Sequence, residues 1–311
     1  MELREIARDV YACLQPDRGW GWSNAGFVAG GGGLMIDTFM DVPRTRRALA
    51  LYAERAPSPP RRLVNTHHNV DHCWGNQCLR GAEIIAHRAC AERMRGDLRP
   101  EAMHALLAAP DLSPGLRWFA DDVRDFDFSG IEPTPPNRLI EARLELDLDA
   151  CRLEILHVGP AHTAGDVIVH LPEERVVFAG DVLFRLCTPI GWEGTFASWI
   201  AALERIEALA PEVIVPGHGP LCGVEGAKEL REYLEHVYTE SRRGFERGLD
   251  VLETARGIEL GPYAGWTQPE RVVFNVARAH RELRGGAWDE PVDFAPLLDA
   301  ACELRRHWNR G

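Results

Sequence analysis

The chain has 311 residues, 35 Lys plus Arg against 47 Asp plus Glu, a formal charge of −12 and 45% apolar residues. That apolar content over that length suffices for a real core and excludes a mainly disordered chain. The acidic excess disfavours nucleic acid or an anionic membrane as the main partner, because phosphate binding needs clustered Lys and Arg.

No stretch approaches ~20 uninterrupted apolar residues, so no membrane span is expected. The opening Met1-Glu2-Leu3-Arg4-Glu5 lacks the basic-then-apolar layout of a signal peptide, and a cytoplasmic location is expected. The 8 cysteines are scattered without a Cys-x-x-Cys pair, as small core hydrophobes in a reducing compartment. Cys73 beside His72 and Cys222 near His218 are the two that stand close to candidate ligands.

In chain order, the first clear signal is a hairpin, with apolar runs 24–29 and 34–38 on either side of Gly30 to Gly33. A phosphate-binding loop would end in Gly-Lys-Ser/Thr and enter a helix; here a strand follows, so the glycines form a turn. A helix is expected over 44–56, stopped by Pro57-Ser58-Pro59-Pro60. Leu63-Val64 then leads as a strand into the polar turn 65–76, and 84–86 is another short strand. Residues 88–126 read as mostly helical, broken at Pro110 and Pro114, and 127–136 as a Gly- and Pro-containing crossover.

A second half opens with alternating Leu144, Leu146 and Leu148, then Leu153, Ile155 and Leu156, the pattern of antiparallel strands. Strands are expected at 167–171 and 176–179 around a Pro172-Glu173-Glu174 turn, an amphipathic helix at 197–209, and a buried strand at 213–215. Beyond 224 the chain reads as helices over 226–256, 269–284 and 292–308, interrupted at 261–266.

Five segments end a strand in a polar cluster: Asp37-Thr38, Thr66 to His72, His162, Asp181 and His218. Such residues at strand ends meet at one edge of an α/β scaffold, where active sites form. The densest segment, Asn65-Thr66-His67-His68-Asn69-Val70-Asp71-His72, puts three imidazoles and a carboxylate into six positions. Borderline divalent metals such as zinc take that donor set.

These residues carry a resemblance. The run from His67 to His72 is similar to the His-x-His-x-Asp-His hallmark of metallo-β-lactamase-fold hydrolases, with Asn69 at the hallmark's second histidine. Gly159-Pro160-Ala161-His162-Thr163-Ala164-Gly165 resembles the family's Gly-His-Thr-x-Gly loop, with Ala161 replacing its glycine. Phe178-Ala179-Gly180-Asp181 and Val215-Pro216-Gly217-His218-Gly219-Pro220 resemble the two later ligand segments. All four motifs occur in order within about residues 20–223.

The resemblance implies an α/β fold, a four-layered αββα sandwich of two βα-repeat halves over residues 1–223, with a helical extension over 224–311 packed against it. It implies one metal site at His67, His162 and the Asn69 position, and another at Asp71, His72 and His218, with Asp181 bridging. An amide oxygen is a poorer zinc ligand than an imidazole nitrogen. The expectation is therefore one tightly bound Zn2+ at Asp71/His72/His218/Asp181 and a weaker or absent second ion, with iron or manganese admitted by the same donors. Asp37 is expected to orient a ligand histidine, and His68 to be a structural or supporting residue.

The implied chemistry is hydrolysis of a small acyl compound (lactone, thioester or ester) by metal-bound hydroxide. Asp71 would orient the hydroxide and shuttle a proton. Asn69, if not a ligand, would either donate to the oxyanion or merely bond a neighbouring carbonyl. Phe184, Ile190 and Trp192, with Tyr263 and Trp266 of the tail, are candidates for an apolar wall or plain core, and Arg185 for a substrate carboxylate or a surface ion pair. A small-molecule substrate is implied, with no nucleic acid or membrane partner and no indication of oligomeric state. The alternatives are an iron-dependent oxygenase or redox enzyme, a β-lactam-hydrolysing member, and a non-hydrolytic binding protein.

Overall fold

Period-two alternation builds two sheets that share one apolar interior. The structure, a computed structural model, describes residues 1–308 apart from 57, 97, 149 and 150. The first sheet runs, in order, β1 (Glu2–Ala7), β2 (Val10–Leu14), β3 (Ala25–Val28), β4 (Leu34–Ile36), β5 (Arg62–Val64), β6 (Glu83–His87) and β7 (Arg138–Ile140). Its strands are antiparallel up to β4 and parallel from β4 to β7. Parallel pairing requires crossovers. These are α1 (Val42–Ala53) between β4 and β5, α2 (Val70–Cys73) after β5, and α3 (Arg88–Met94), α4 (Pro100–Ala108) and α5 (Pro114–Val123) before β7.

The second sheet holds β8 (Arg143–Asp147), β9 (Arg152–His157), β10 (Val167–Leu171), β11 (Val176–Phe184) and β12 (Val213–His218) in the order β12-β11-β10-β9-β8. Only its β11–β12 pair is parallel, with α6 (Phe196–Ala208) as the crossover.

Val28, Leu34 and Val64 of one sheet face Ile155, Val169 and Phe178 of the other in a sealed interior. A Cβ built on Gly26 would lie 2.2 Å from the Phe178 ring, so glycine is what lets β3 sit against that aromatic. Outside the first sheet, α1 closes a second cluster, where Tyr52 stacks on Phe27 at 4.3 Å. Outside the other sheet, Trp199, Leu203 and Ile206 of α6 cover Ile168 and Val177. Each such side chain contributes about 1.5–3 kcal/mol on burial. The layers are helix, sheet, sheet, helix, as expected.

Helices α7 (Val224–Glu246), α8 (Val251–Gly257), α9 (Val272–Leu283) and α10 (Phe294–Trp308) follow. Helix α7 packs on α6 and β11, and α10 on α5.

Several boundaries differ from expectation. The helix expected over 226–256 breaks at Gly248 (φ +74°), and Asp250 starts α8 with a capping box to Glu253. Within 88–126 a further break separates α3 from α4, where Pro100 occupies the first turn of a new helix. The strand expected to end at 179 continues to Phe184, through Gly180 (φ +52°) and a register irregularity against β12. Strands β1, β2 and β7 were not expected. The edge strand β1 is charged and buries none of its residues fully, which hides its alternation. Among the described residues no helix is long and apolar enough to cross a membrane.

Candidate metal centre and adjoining cavity

The polar strand ends converge at one edge of the two sheets. Beyond β4 the chain turns at Asp37, whose φ of +59° is the left-handed region that Asp tolerates better than most residues. Its carboxylate accepts from Thr66 N (2.7 Å) and Thr66 Oγ1 (2.6 Å), and it faces His72 Nδ1 at 3.0 Å. Thr66 Oγ1 in turn meets His67 Nδ1 at 3.0 Å. One buried carboxylate thus orients two histidines, His72 directly and His67 through a hydroxyl, as metal-bound imidazoles require. Helix α2 is anchored by Ser23 Oγ donating to Asp71 O (2.7 Å) and Asn65 Nδ2 donating to His72 O (3.1 Å). On β12, a Cβ at Gly217 would stand 1.9 Å from Asp181 Oδ1, so only glycine lets that strand pass beside the aspartate.

Each of the four histidines has its Nδ1 engaged outside the cluster. His162 meets Ile190 O at 2.5 Å and His218 meets Trp22 O at 3.2 Å, besides the two contacts above. A neutral ring donates from one nitrogen only, so an Nδ1–H leaves a lone pair at Nε2. All four Nε2 atoms point at Asp181, His72 at 3.1 Å, His218 at 3.3 Å, His162 at 3.4 Å and His67 at 3.8 Å. Asp71 Oδ2 is 3.3 Å from His218 Nε2 and 3.7 Å from His72 Nε2. Lone pairs facing carboxylate oxygens at these distances demand protons or a cation between them. His67 Nε2 is buried without a hydrogen-bond partner, an atom that a metal would satisfy. Among the described residues, two donor groups have all ligand atoms within 4.8 Å of one another, His67/His72/Asp181 and Asp71/His72/His218. The donor set fits a divalent ion.

The electrostatics agree. Burial opposes charge on His72 and His218, yet Asp181 and Asp71 outweigh it, raising His72 well above the ordinary histidine value and His218 to about 9. Burial pushes Asp71 and Asp181 up, but the His72 and His218 charges hold both below the usual carboxylate range. His67 is driven well below the ordinary value, and His162 to about 4, chiefly by burial. The neighbouring carboxylates thus favour charge on His72 and His218, while burial favours the neutral ring at His67 and His162.

Asn69 Oδ1 lies 2.6 Å from His162 Nε2. With Nδ1–H on Ile190, that nitrogen is an acceptor, which the Asn69 amide satisfies when its N–H is turned towards it. Asn69 thus bonds a ligand-type histidine rather than a backbone carbonyl. His68 is buried beside it, with Nδ1 unpartnered, and its pKa falls to about 3 through burial.

A cavity of about 770 Å³ opens onto Asn69, Asp71, His162, Asp181 and His218. Phe184, Ile190 and Trp192 line it as apolar-wall candidates. Tyr263 and Trp266 do not: they pack on Tyr233 at 5.2 and 5.1 Å, Trp266 buried in the core and Tyr263 half-buried against it. Arg185 is ion-paired to Glu229. Cys73 Sγ donates to His68 O (3.1 Å) and Cys222 is buried, both outside the two donor groups. Much of the apolar wall was not anticipated, notably Trp20, Met103, Phe119 and Phe294. They come from distant segments with no shared spacing.

The profile of the metallo-beta-lactamase superfamily matches residues 18–218. A linear primary-alkylsulfatase of Pseudomonas sp. (strain ATCC 19151) is 24% identical, the match covering 86% of this chain and 56% of that protein. A hydroxyacylglutathione hydrolase of Maricaulis maris (strain MCS10) is 26% identical over 67% of this chain and 59% of the relative. The chain thus spans a little over half the length of these relatives. A solved metallo-beta-lactamase family protein from Thermus thermophilus superposes with a TM-score of 0.65 at 20% identity, covering 90% of this chain and 95% of that one.

Proposed function

The chain belongs to the metallo-beta-lactamase superfamily, and on that premise we propose that it is a metal-dependent hydrolase of small acyl compounds, thioesters, lactones or esters, with an apolar body. The observation that carries the reading is the convergence of four imidazole Nε2 atoms on Asp181 at the floor of a largely apolar cavity. Asp71, His72, His218 and Asp181 would hold the tighter ion, zinc by donor type. His67, His162 and Asn69 would hold a weaker one or none. A bound ion supplies Lewis acidity and lowers the pKa of water from 15.7 towards about 7.

The chain's own residues then have distinct tasks. Asp71 is the one of the two central carboxylates that stands on a helix at the cavity floor rather than within a strand. It is the proton carrier between attacking water and leaving group. Asn69, already an N–H donor to His162 in this reading, turns that N–H to the oxyanion of an acyl group in the cavity. Asp37 and Thr66 hold His72 and His67 in the tautomer that offers Nε2 inward. The apolar wall excludes water from the body of the substrate and aligns it. The eight free thiols suit a reducing compartment.

A second reading, cleavage of an alkyl sulfate ester, is favoured by the alkylsulfatase relative, which matches 86% of this chain. Zinc-loaded protein assayed on a medium-chain acyl thioester, a lactone, a carboxylic ester and an alkyl sulfate separates the two. Acyl hydrolysis lost in Asp71→Asn supports the first, and sulfate release alone supports the second. No turnover of any of them overturns both.

A further inference from the structure

The cavity wall contains one cation without an anionic partner among the described residues. Of the two arginines that line it, Arg93 is paired at the mouth with Glu193 (2.6 Å) and Asp289 (3.4 Å). Arg271, on the turn Pro269–Arg271 that leads into α9, is 4% exposed, and its Nε and Nη2 are buried with no hydrogen-bond partner. Of the carboxylates nearby, Asp122 accepts from Gln268 and Glu270 faces Arg305 at 3.7 Å, while Asp17 accepts from Gly19 N at 3.1 Å through Oδ1 and keeps a buried, unpartnered Oδ2. The guanidinium instead lies over the Trp20 ring at 4.3 Å. Trp20 is boxed by Phe119, Phe294 and Phe274 at 5.3, 5.5 and 5.8 Å.

An arginine buried among aromatics with unmet N–H groups is strongly disfavoured unless an anion completes it. The same segment ties it to the metal centre, since Trp22, two residues on from Trp20, holds His218 Nδ1 through its carbonyl. Arg271 lines the same cavity of about 770 Å³ as Asp71, Asp181 and His218, so an acyl group at the centre and a second group at Arg271 can belong to one small molecule.

We propose that Arg271 is a substrate-binding residue that takes a carboxylate at the far end of the substrate's apolar body, so that the natural substrate is a carboxylate-tipped acyl compound. This rests on the acyl-hydrolase reading above. Asp17, Asp122 and Glu270 stand near Arg271, and their repulsion disfavours a dianionic phosphate there more than a monoanionic carboxylate. Its planar fork binds a carboxylate through two parallel N–H bonds, and an apolar surround strengthens them. The aromatic box accommodates the methylene chain, and the stacked Trp20 fixes the plane of the fork.

The test compares a monothioester of nonanedioic acid with the methyl ester of its free carboxyl, on metal-loaded enzyme. Wild type is expected to favour the free acid by about tenfold or more in kcat/KM, mostly through KM. Arg271→Gln should bring the acid-to-ester ratio close to one, and Arg271→Lys should leave it between the two. A purely structural arginine would lower both rates and leave the ratio intact. Equal use of acid and ester by wild type, or a ratio unmoved in Arg271→Gln, overturns the proposal. Should neither thioester turn over, the acyl-hydrolase reading fails on its own. The Arg271 site is then judged by tryptophan-fluorescence titration with nonanedioate and its dimethyl ester. Tighter binding of the dianion, lost in Arg271→Gln, sustains the site, and equal binding removes it.

Discussion

Replacing Asp37 by Asn isolates the carboxylate that organises the centre. The backbone there sits at φ +59°, which Asn tolerates as well as Asp does, so the substitution adds no backbone strain. Asp37 receives three donors, Thr66 N at 2.7 Å, Thr66 Oγ1 at 2.6 Å and His72 Nδ1 at 3.0 Å. Asn offers one oxygen and an NH2 group, so at least one donor loses its acceptor. Thr66 Oγ1 can rotate to accept from the new N–H, but the His72 N–H cannot. A hydrogen bond to a charged group contributes about 1.5–3 kcal/mol. If that loss falls on His72, metal affinity drops about 10- to 100-fold, at about 1.4 kcal/mol per tenfold. Competition with a chromophoric chelator measures the zinc dissociation constant, with circular dichroism confirming the fold. A dissociation constant within about twofold of wild type, in a folded variant, would refute the claim that Asp37 sets the tautomer of His72.

Three further outcomes follow from the same geometry. Asn69→His replaces a neutral amide by an imidazole beside His162, and metal content is expected to rise from one to two ions per chain; elemental analysis decides. Because His218 is raised to about 9 in the metal-free protein, it must lose a proton to ligate. Apparent zinc affinity should therefore climb with pH towards about 9, roughly tenfold per unit for each proton released, whereas a flat profile in a pH-jump titration contradicts the assignment. With a folded value above the ordinary histidine value, this proton stabilises the metal-free fold at low pH, and the contribution is lost as pH rises through about 9. Gly26→Ala drives a methyl to 2.2 Å from Phe178, so the inter-sheet core must shift, at about 1–3 kcal/mol. Urea denaturation would show it as a lower midpoint at unchanged slope, and an unchanged midpoint would show the core to be slack there.

The His/Asp cluster was legible because its residues lie in short segments at strand ends. His67 to His72 sit within six positions, and His162, Asp181 and His218 each follow an apolar run. Asp37 could be picked out for the same reason, though not its left-handed backbone or its second link to His67 through Thr66. Of the cavity, only Phe184, Ile190 and Trp192, close behind Asp181 in the chain, were legible. Trp20, Phe119 and Phe294 come from a loop, a helix before the crossover and the last helix, and only the tertiary fold brings them together. Tyr263 and Trp266 look no different from them in sequence, yet they pack into the α7 interface. Nothing in the sequence singles out Arg271, because burial of a guanidinium leaves no periodic trace. The N-terminal hairpin was hidden by the charges on its edge strand, and the break in the tail rested on Gly248 and Asp250 inside an otherwise helical pattern.

The central claim is that Asp71, His72, His218 and Asp181 form a working metal site while Asn69 weakens its neighbour. It is tested most directly by counting metal ions per chain after exhaustive dialysis against a moderate chelator, in wild type and in Asp181→Asn. One retained zinc in the wild type and none in the variant is the expected result. Two chelator-resistant ions in the wild type, or one retained by Asp181→Asn, would contradict it.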